Sequence, residues 1–414
     1  MKKLILLVSS LITSFASAHD DIDIDYAENV APIFVEQCQA CHRENGIGPW
    51  AMTDYRMLQA FAPAIKEAIE TRQMPPGQID PKYVDRIINH RTLSHTEMET
   101  IVKWIDAGTP VEGDRDPLTE TVYSTSEWVH GEPDMIIDVP AQEIPAIGSL
   151  GPNAIPYRYI AVDSGLTEDR WLRGSEFLPS EPTVMHHMLN SISVPGLDGR
   201  GASLLGTQGG AQEEMNYAGI SAYVPGGTPD FYDENTGGLL RAGSTVNLQL
   251  HYTPDGTART DKARIGLYFH DDGVIPEERM AGDCACIFPD TWTPIPPYDP
   301  NFVQTAEIVL KKDVNLHTFL PHMHFRGKSM KAIAYYPDGE VEELINIPNY
   351  EYAWQLSYTW REPKYLPEGT RLFVEGAFDN SAENKMNPDP SREVPWGLMS
   401  EDEMFFGAFT WKNI

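Results

Sequence analysis

Cysteine is scarce in this 414-residue chain, with four in all, which excludes a fold held together by a disulfide framework. Positive charge is in deficit as well: 31 Lys and Arg stand against 61 Asp and Glu, for a formal net charge of −30. That balance argues against nucleic acid or an anionic membrane as partner and favours a cationic redox partner or substrate. Beyond the N-terminus no stretch offers the roughly 18 consecutive apolar residues that would span a bilayer. The sequence also lacks internal repeats and low-complexity tracts.

The N-terminus is the apolar exception. Lys2 and Lys3 precede an apolar stretch from Leu4 to Phe15 and a small-residue Ala16-Ser-Ala signature, the pattern of a cleaved signal peptide over residues 1–18. The expectation is an exported, periplasmic protein that starts at His19. Removing 18 of the 414 residues leaves 396, and loss of the two signal lysines takes the charge from −30 to −32. At about 100–200 residues per domain this length predicts two or three domains.

Two of the cysteines open a strong motif. Cys38-Gln-Ala-Cys41-His42 is the c-type haem attachment sequence, in which both thiols add to porphyrin vinyl groups and the adjacent histidine ligates the iron. The surrounding periodicity is helical. Val30, Ile33 and Phe34 share one face of Tyr26–Gln37, and Leu58, Phe61, Ile65 and Ile69 one face of Asp54–Arg72. Ser94-His-Thr-Glu97 reads as a capping box before a third helix that Gly108 and Pro110 stop. Residues 25 to 112 resemble a cytochrome c, which implies one covalent haem c. Met74, in the stiff Gln73-Met-Pro-Pro76, is the expected second axial ligand, ahead of Met52, Met57, His90 and His95. Cys284 and Cys286 remain, and a local disulfide is the simpler reading for them than a soft-metal site.

After a charged, proline-containing linker (Thr109–Thr119) the pattern turns to short β-type runs, such as 157–162, 245–251 and 263–269, punctuated by Gly, Pro, Asn and Asp. A proline cluster, Pro294–Pro300, divides them into a larger half and one of 114 residues (301–414), each of a size that suits a β-sandwich. Five histidines in these halves form a pattern. His251 projects from the polar face of its strand. The adjacent His186 and His187 would point to opposite faces of a regular strand, so a metal shared between them requires a bend or an edge. His322 and His324, two apart, project from one face and suit chelation of one ion. Met404 supplies a thioether later in the same half, a soft donor that favours Cu(I).

The run His186-His187-Met188, the stretch Gln249-Leu-His251-Tyr252, the His322-x-His324 pair and Asp402-Glu-Met404 together resemble the copper type II, ascorbate-dependent monooxygenases, over about residues 136 to 409. That family includes dopamine β-monooxygenase and peptidylglycine α-hydroxylating monooxygenase. The resemblance implies two jelly-roll sandwiches that face each other across a solvent cleft. It implies an electron-relay copper on His186, His187 and His251, and a dioxygen-binding copper on His322, His324 and Met404. The implied reaction hydroxylates a C–H bond with dioxygen and consumes two electrons, which the haem would relay from a periplasmic donor. The arginine, asparagine and tyrosine with which the peptide-amidating members hold a substrate carboxylate correspond here to Leu320, Phe406 and Ala408. A small apolar or neutral organic substrate is expected instead.

The expected architecture is multidomain: a small all-α cytochrome c domain (19–113), then two all-β jelly-roll sandwich domains (120–293 and 301–414). The alternative from another class is a non-catalytic periplasmic electron-transfer or copper-handling protein. His130, His270 and His317 read as structural histidines, and His19 as a terminal residue with no identifiable partner ligand. The turn-rich segment from Phe378 to Pro390 reads as loop punctuation leading toward Met404.

Overall fold

Alternating burial along runs rich in Val, Ile, Phe and Tyr gives the chain its dominant element, the β-strand. In the computed structural model, residues 24–413 are described except 45, 47, 77–78, 122–126, 150–154, 195–201, 204–219, 226, 228, 230, 353 and 398. The expected signal peptide and His19 lie outside the described residues. The strands of the first β half are β1 (Met135–Asp138), β2 (Gln142–Ile144), β3 (Arg158–Asp163), β4 (Arg170–Leu178), β5 (Met185–Ser193), β6 (Ala202–Ser203), β7 (Thr236–Leu240), β8 (Thr245–Tyr252), β9 (Arg259–Asp261) and β10 (Arg264–Phe269). Those that follow are β11 (Glu278–Ile287), β12 (Phe302–Val309), β13 (Val314–His322), β14 (Gly327–Tyr335), β15 (Val341–Ile347), β16 (Tyr358–Leu366), β17 (Arg371–Phe378) and β18 (Phe405–Asn413).

One eight-stranded sheet, ordered β1-β10-β4-β7-β11-β18-β13-β16, runs through both halves. Its first four strands face the sheet β3-β8-β5-β6 across a core that includes Leu172, Met188, Leu248 and Ile265. Its last four face β12-β17-β14-β15 across a core that includes Phe319, Ala332, Val374 and Phe405. The two sandwiches meet where β7 and β11 pair in parallel, Thr236 opposite Glu278 and Gly237 opposite Arg279. Lys412 on β18 spans this seam, with Nζ 2.7 Å from Asp233 and 2.8 Å from Glu278. β11 precedes the proline cluster in sequence, yet its long antiparallel partner is β18, from Met280↔Lys412 to Ile287↔Phe405.

The expected all-α cytochrome domain is not what forms. The chain is mostly β, 37% strand against 14% helix, with four short α-helices among the described residues: α1 (Ala31–Gln37), α2 (Tyr55–Glu70), α3 (His95–Asp106) and α4 (Pro117–Glu120). The local capping signals hold nonetheless. Asp54 caps α2, and the Ser94/Glu97 capping box forms at α3. These helices bury a small core around Tyr26, Phe34, Leu58 and Trp104. The segment between α2 and α3, however, belongs to the second sandwich. Ile79, Tyr83 and Ile87 enter that sandwich's core, Ile87 bridges Trp360, and the Ile88 amide donates to the Thr359 carbonyl at 3.0 Å. An amphipathic pattern identifies a face that must be covered but not what covers it. What the observations support is a set of β-sheets packed as sandwiches, with a helical segment strapped to one of them.

Among the described residues no helix is long and apolar enough to cross a membrane.

If the strap is part of the second sandwich, Ile87→Ala, at a fully buried position, should cost about 2–5 kcal/mol in the unfolding of that sandwich, read by denaturant titration. Loss confined to the helical segment, with sandwich unfolding unchanged, would contradict the placement.

Candidate metal centre

A β-bulge makes the first histidine group possible. β5 pairs with β8 in antiparallel register, His187 opposite His251, and the register slips between Met185 and His187. The extra residue turns His186 out of strict alternation, so two neighbouring imidazoles reach the same side. The ligand atoms of His186, His187 and His251 come within 4.8 Å of one another. Their ring centroids lie 4.7 to 5.2 Å apart. His187 and His251 are buried, and His186 is half-buried.

The second group stands at the end of β13, where His322 is buried opposite Phe406 of β18. The His322 and His324 rings are 5.2 Å apart. Each is aimed by its inner nitrogen. His322 Nδ1 lies 2.7 Å from Gln355 Oε1 and His324 Nδ1 lies 3.3 Å from the Asp402 carbonyl. Both partners are acceptors, so both Nδ1 atoms donate and both Nε2 atoms are left for another ligand. The buried Glu403 carboxylate fixes the loop by accepting the amides of His324 (2.7 Å) and Arg326 (2.6 Å). Burial pushes the Glu403 carboxyl up to about 8, against the lowering effect of those amides.

The two groups adjoin. Tyr157 lies 4.5 Å from His251, 5.6 Å from His187 and 6.4 Å from His324, ring to ring. Tyr352 stacks on His186 at 5.5 Å and lies 6.3 Å from His324. Where the family resemblance implies open solvent between the groups, two tyrosines fill the space here, Tyr352 itself being buried. Neither tyrosine was singled out in the sequence. Tyr352 and Gln355 lie in the connection between β15 and β16, at no spacing that ties them to a histidine motif.

Burial holds all five imidazoles neutral. It lowers His186 and His322 to about 4 and His324 to about 3, and it takes His187 and His251 well below the ordinary histidine value. Neutral imidazole is the metal-binding form. His187 Nδ1 faces His186 Nδ1 at 2.9 Å, and His187 Nε2 is buried with no hydrogen-bond partner among the described residues. The residues present therefore fit a metal at the triad.

The remaining candidates are distributed differently. Met404 is buried in an apolar layer with Cys284, Leu320, Phe406 and Ala408, and Phe406 stacks on His322 at 5.5 Å. Met404 thus lies in the layer next to the pair. Cys284 and Cys286 are joined as the expected local disulfide. Cys38 and Cys41 are unpaired and half-buried, Cys38 against the helical core and Cys41 against that of the second sandwich. His42 Nδ1 is 3.0 Å from the Trp50 carbonyl, which leaves Nε2 as the free nitrogen. A β-carbon at Gly48 would come within 2.8 Å of the His42 ring. Two free thiols and an imidazole with an open Nε2 are the donor types that the CxxCH motif calls for. Met74 is 38% exposed and lines a small cavity with Ile69, Leu93, His95 and Met98; no described contact joins it to His42. Of the other histidines, His270 is satisfied by the Thr236 carbonyl at 2.8 Å and His130 stacks on Phe231. His317 Nδ1 is buried without a partner among the described residues.

The depressed imidazole values link folding to pH in metal-free protein. Below about pH 6.5 an unfolded histidine takes up a proton that its buried counterpart refuses, so the unfolded state binds more protons and stability falls with pH. The histidine contribution is complete above about pH 6.5 and is lost as pH falls toward the folded values near 4 and 3. The melting temperature of metal-free protein should drop between pH 7 and pH 4, and less steeply in a His187→Gln/His251→Gln variant. Equal slopes in the two proteins would contradict this coupling.

No family model matches this chain, and no curated protein matches it in sequence.

Proposed function

We propose that the chain is an exported copper monooxygenase carrying a covalent haem, which hydroxylates a C–H bond of a small organic substrate. The observation that carries this reading is the histidine triad, closed to 4.8 Å, with a second neutral histidine pair beside it. Imidazoles alone suit zinc, iron or copper; the Met404 thioether in the adjoining layer and the resemblance of the motif order favour copper. Copper at the two groups would supply one-electron redox steps and dioxygen activation, and haem c at Cys38, Cys41 and His42 would supply the electrons. The overall reaction takes substrate, dioxygen, two electrons and two protons to hydroxylated product and water.

The protein's own part is orientation and exclusion of water. Gln355 and the Asp402 carbonyl hold His322 and His324 with Nε2 available. Glu403 ties the histidine loop to the segment bearing Met404. Leu320, Phe406 and Ala408 are all buried and apolar, which leaves no cation there for a carboxylate and supports a neutral or apolar substrate. An electron path from the haem segment is short in residues. Tyr223 exchanges backbone hydrogen bonds of 2.9 Å with Met188, the neighbour of His187, and the next residue, Val224, shares the core of the second sandwich with Cys41. The strong negative charge suits a cationic periplasmic donor.

The test is copper and haem content of the exported protein, followed by oxygen uptake with a reductant. Wild type should hold two coppers and one haem, and His324→Ala or Met404→Ala should lose oxygen uptake by at least about tenfold. Copper and haem bound without uptake, or uptake indifferent to both substitutions, would move the assignment to an electron-transfer or copper-handling protein.

A further inference from the structure

Asp261 is fully buried at the end of β9, which with β2 makes a two-stranded ribbon outside both sandwich layers. Its carboxylate has four donors. Oδ1 accepts the Ser180 amide at 2.7 Å, the Ser180 hydroxyl at 3.0 Å and the Glu181 amide at 3.1 Å, and Oδ2 accepts the Tyr252 hydroxyl at 2.8 Å. A carboxylate offers acceptors alone, so this one side chain satisfies all four. The Ser180 oxygen in turn accepts the Lys262 amide at 2.7 Å.

These donors flank the histidine triad on both of its strands. Ser180 and Glu181 open the turn before β5: the Glu181 carbonyl accepts the amides of Val184 and Met185, each at 3.2 Å, and His186 follows directly. Tyr252 ends β8, next to His251. Beyond the His187↔His251 pair the register slips, and a single pair, Met185↔Tyr252, follows. A bulge so near the end of a ladder has little backbone pairing to fix it. It is held besides by the Thr253 amide on the Val184 carbonyl at 2.8 Å and by Asp261, which grips the entry to β5 and the exit of β8 at once.

We propose that Asp261 is a positioning residue of the metal centre: by joining Ser180 and Glu181 to Tyr252 it sets the spacing of His186 and His187 from His251. The proposal rests on reading the triad as a metal site and deepens that reading. None of the three residues that Asp261 holds is a ligand, so it acts through the backbone of the two strands. Glu403 stands in a similar relation to the second group, where it accepts the amides of His324 and Arg326. Tyr252, in the Gln249-Leu-His251-Tyr252 run, thereby gains a role that its neighbour's ligation does not explain.

The experiment is zinc titration of the full chain in a His324→Ala background, with zinc as a redox-silent probe, beside urea unfolding of each variant. Tyr252→Phe removes one of the four donors and leaves the turn before β5 in place. Ile192→Val trims a fully buried side chain at the far end of β5 and is the stability control. Tyr252→Phe should weaken zinc binding by about tenfold, and Asp261→Ala, which releases both strands, by up to about 100-fold. Ile192→Val should lower stability and leave zinc affinity unchanged. Asp261→Asn keeps an acceptor for Ser180 and Glu181, and its amide can donate to the Tyr252 oxygen, so it should recover most of the affinity lost in Asp261→Ala. Cu(II) bound in the same background should show an altered hyperfine splitting in Tyr252→Phe and the wild-type splitting in Ile192→Val. If Asp261→Ala fails to fold, Tyr252→Phe against Ile192→Val carries the test. Equal effects of those two substitutions on affinity and splitting would overturn the proposal. A wild-type chain that binds neither zinc nor copper would overturn the metal reading and the proposal with it; a metal-binding wild type indifferent to Tyr252→Phe would overturn the proposal alone.

Discussion

Five imidazoles withdrawn from water at the junction of two sandwiches set the terms for everything around them. A buried imidazole must place one proton and one lone pair, and in a site with little solvent both have to find protein partners or a metal. Gln355 and the Asp402 carbonyl take two of the protons, and the Tyr352 hydroxyl lies 3.2 Å from His251 Nδ1. The rings gather in two groups, His186, His187 and His251 in one and His322 with His324 in the other. Gln355 and Tyr352 lie in one connection, β15 to β16, and Asp402 lies in the loop before β18, so the second sandwich contacts histidines in both halves.

The fold serves that arrangement by making the two halves one body at their base. A sheet continuous from β1 to β16 and the Lys412 ion pairs across its seam limit how far the sandwiches can part, since bending the seam would break backbone pairs as well as side-chain contacts. The helical segment adds its strap to the second sandwich through Ile87 and Trp360. It also sets Cys41 against that sandwich's core, near the Tyr223–Met188 pairing that leads to the triad. Cys41, the Tyr223–Met188 pairing and the histidine triad thus lie along one run of packed structure rather than in separable modules.

Much of the site was legible in the sequence because its chemistry is local. The HxH spacing and the paired His186 and His187 are short patterns, each open to a structural reading alone, and the fold brings the pair together with His251. The need for a bend at His186 and His187 follows from strand alternation, and a bulge occurs there. The all-α cytochrome domain was the wrong expectation. Helical periodicity in residues 26–105 was real, but the segment that carries Ile79, Tyr83 and Ile87 has a second sheet core as its partner, and periodicity does not name partners. Tyr157, Tyr352 and Gln355 were illegible for the same reason, because each acts through a contact with a residue that is distant in sequence.

The most direct test of the account is electron paramagnetic resonance of the protein loaded with two Cu(II) ions. Histidine groups separated by a pair of tyrosine rings should place the ions close enough for strong dipolar coupling, seen as broadened lines and a half-field signal. That coupling should vanish in His324→Ala, where one ion is lost. Two independent, unbroadened copper spectra in the wild-type protein would contradict the claim that the two groups form one adjoining centre.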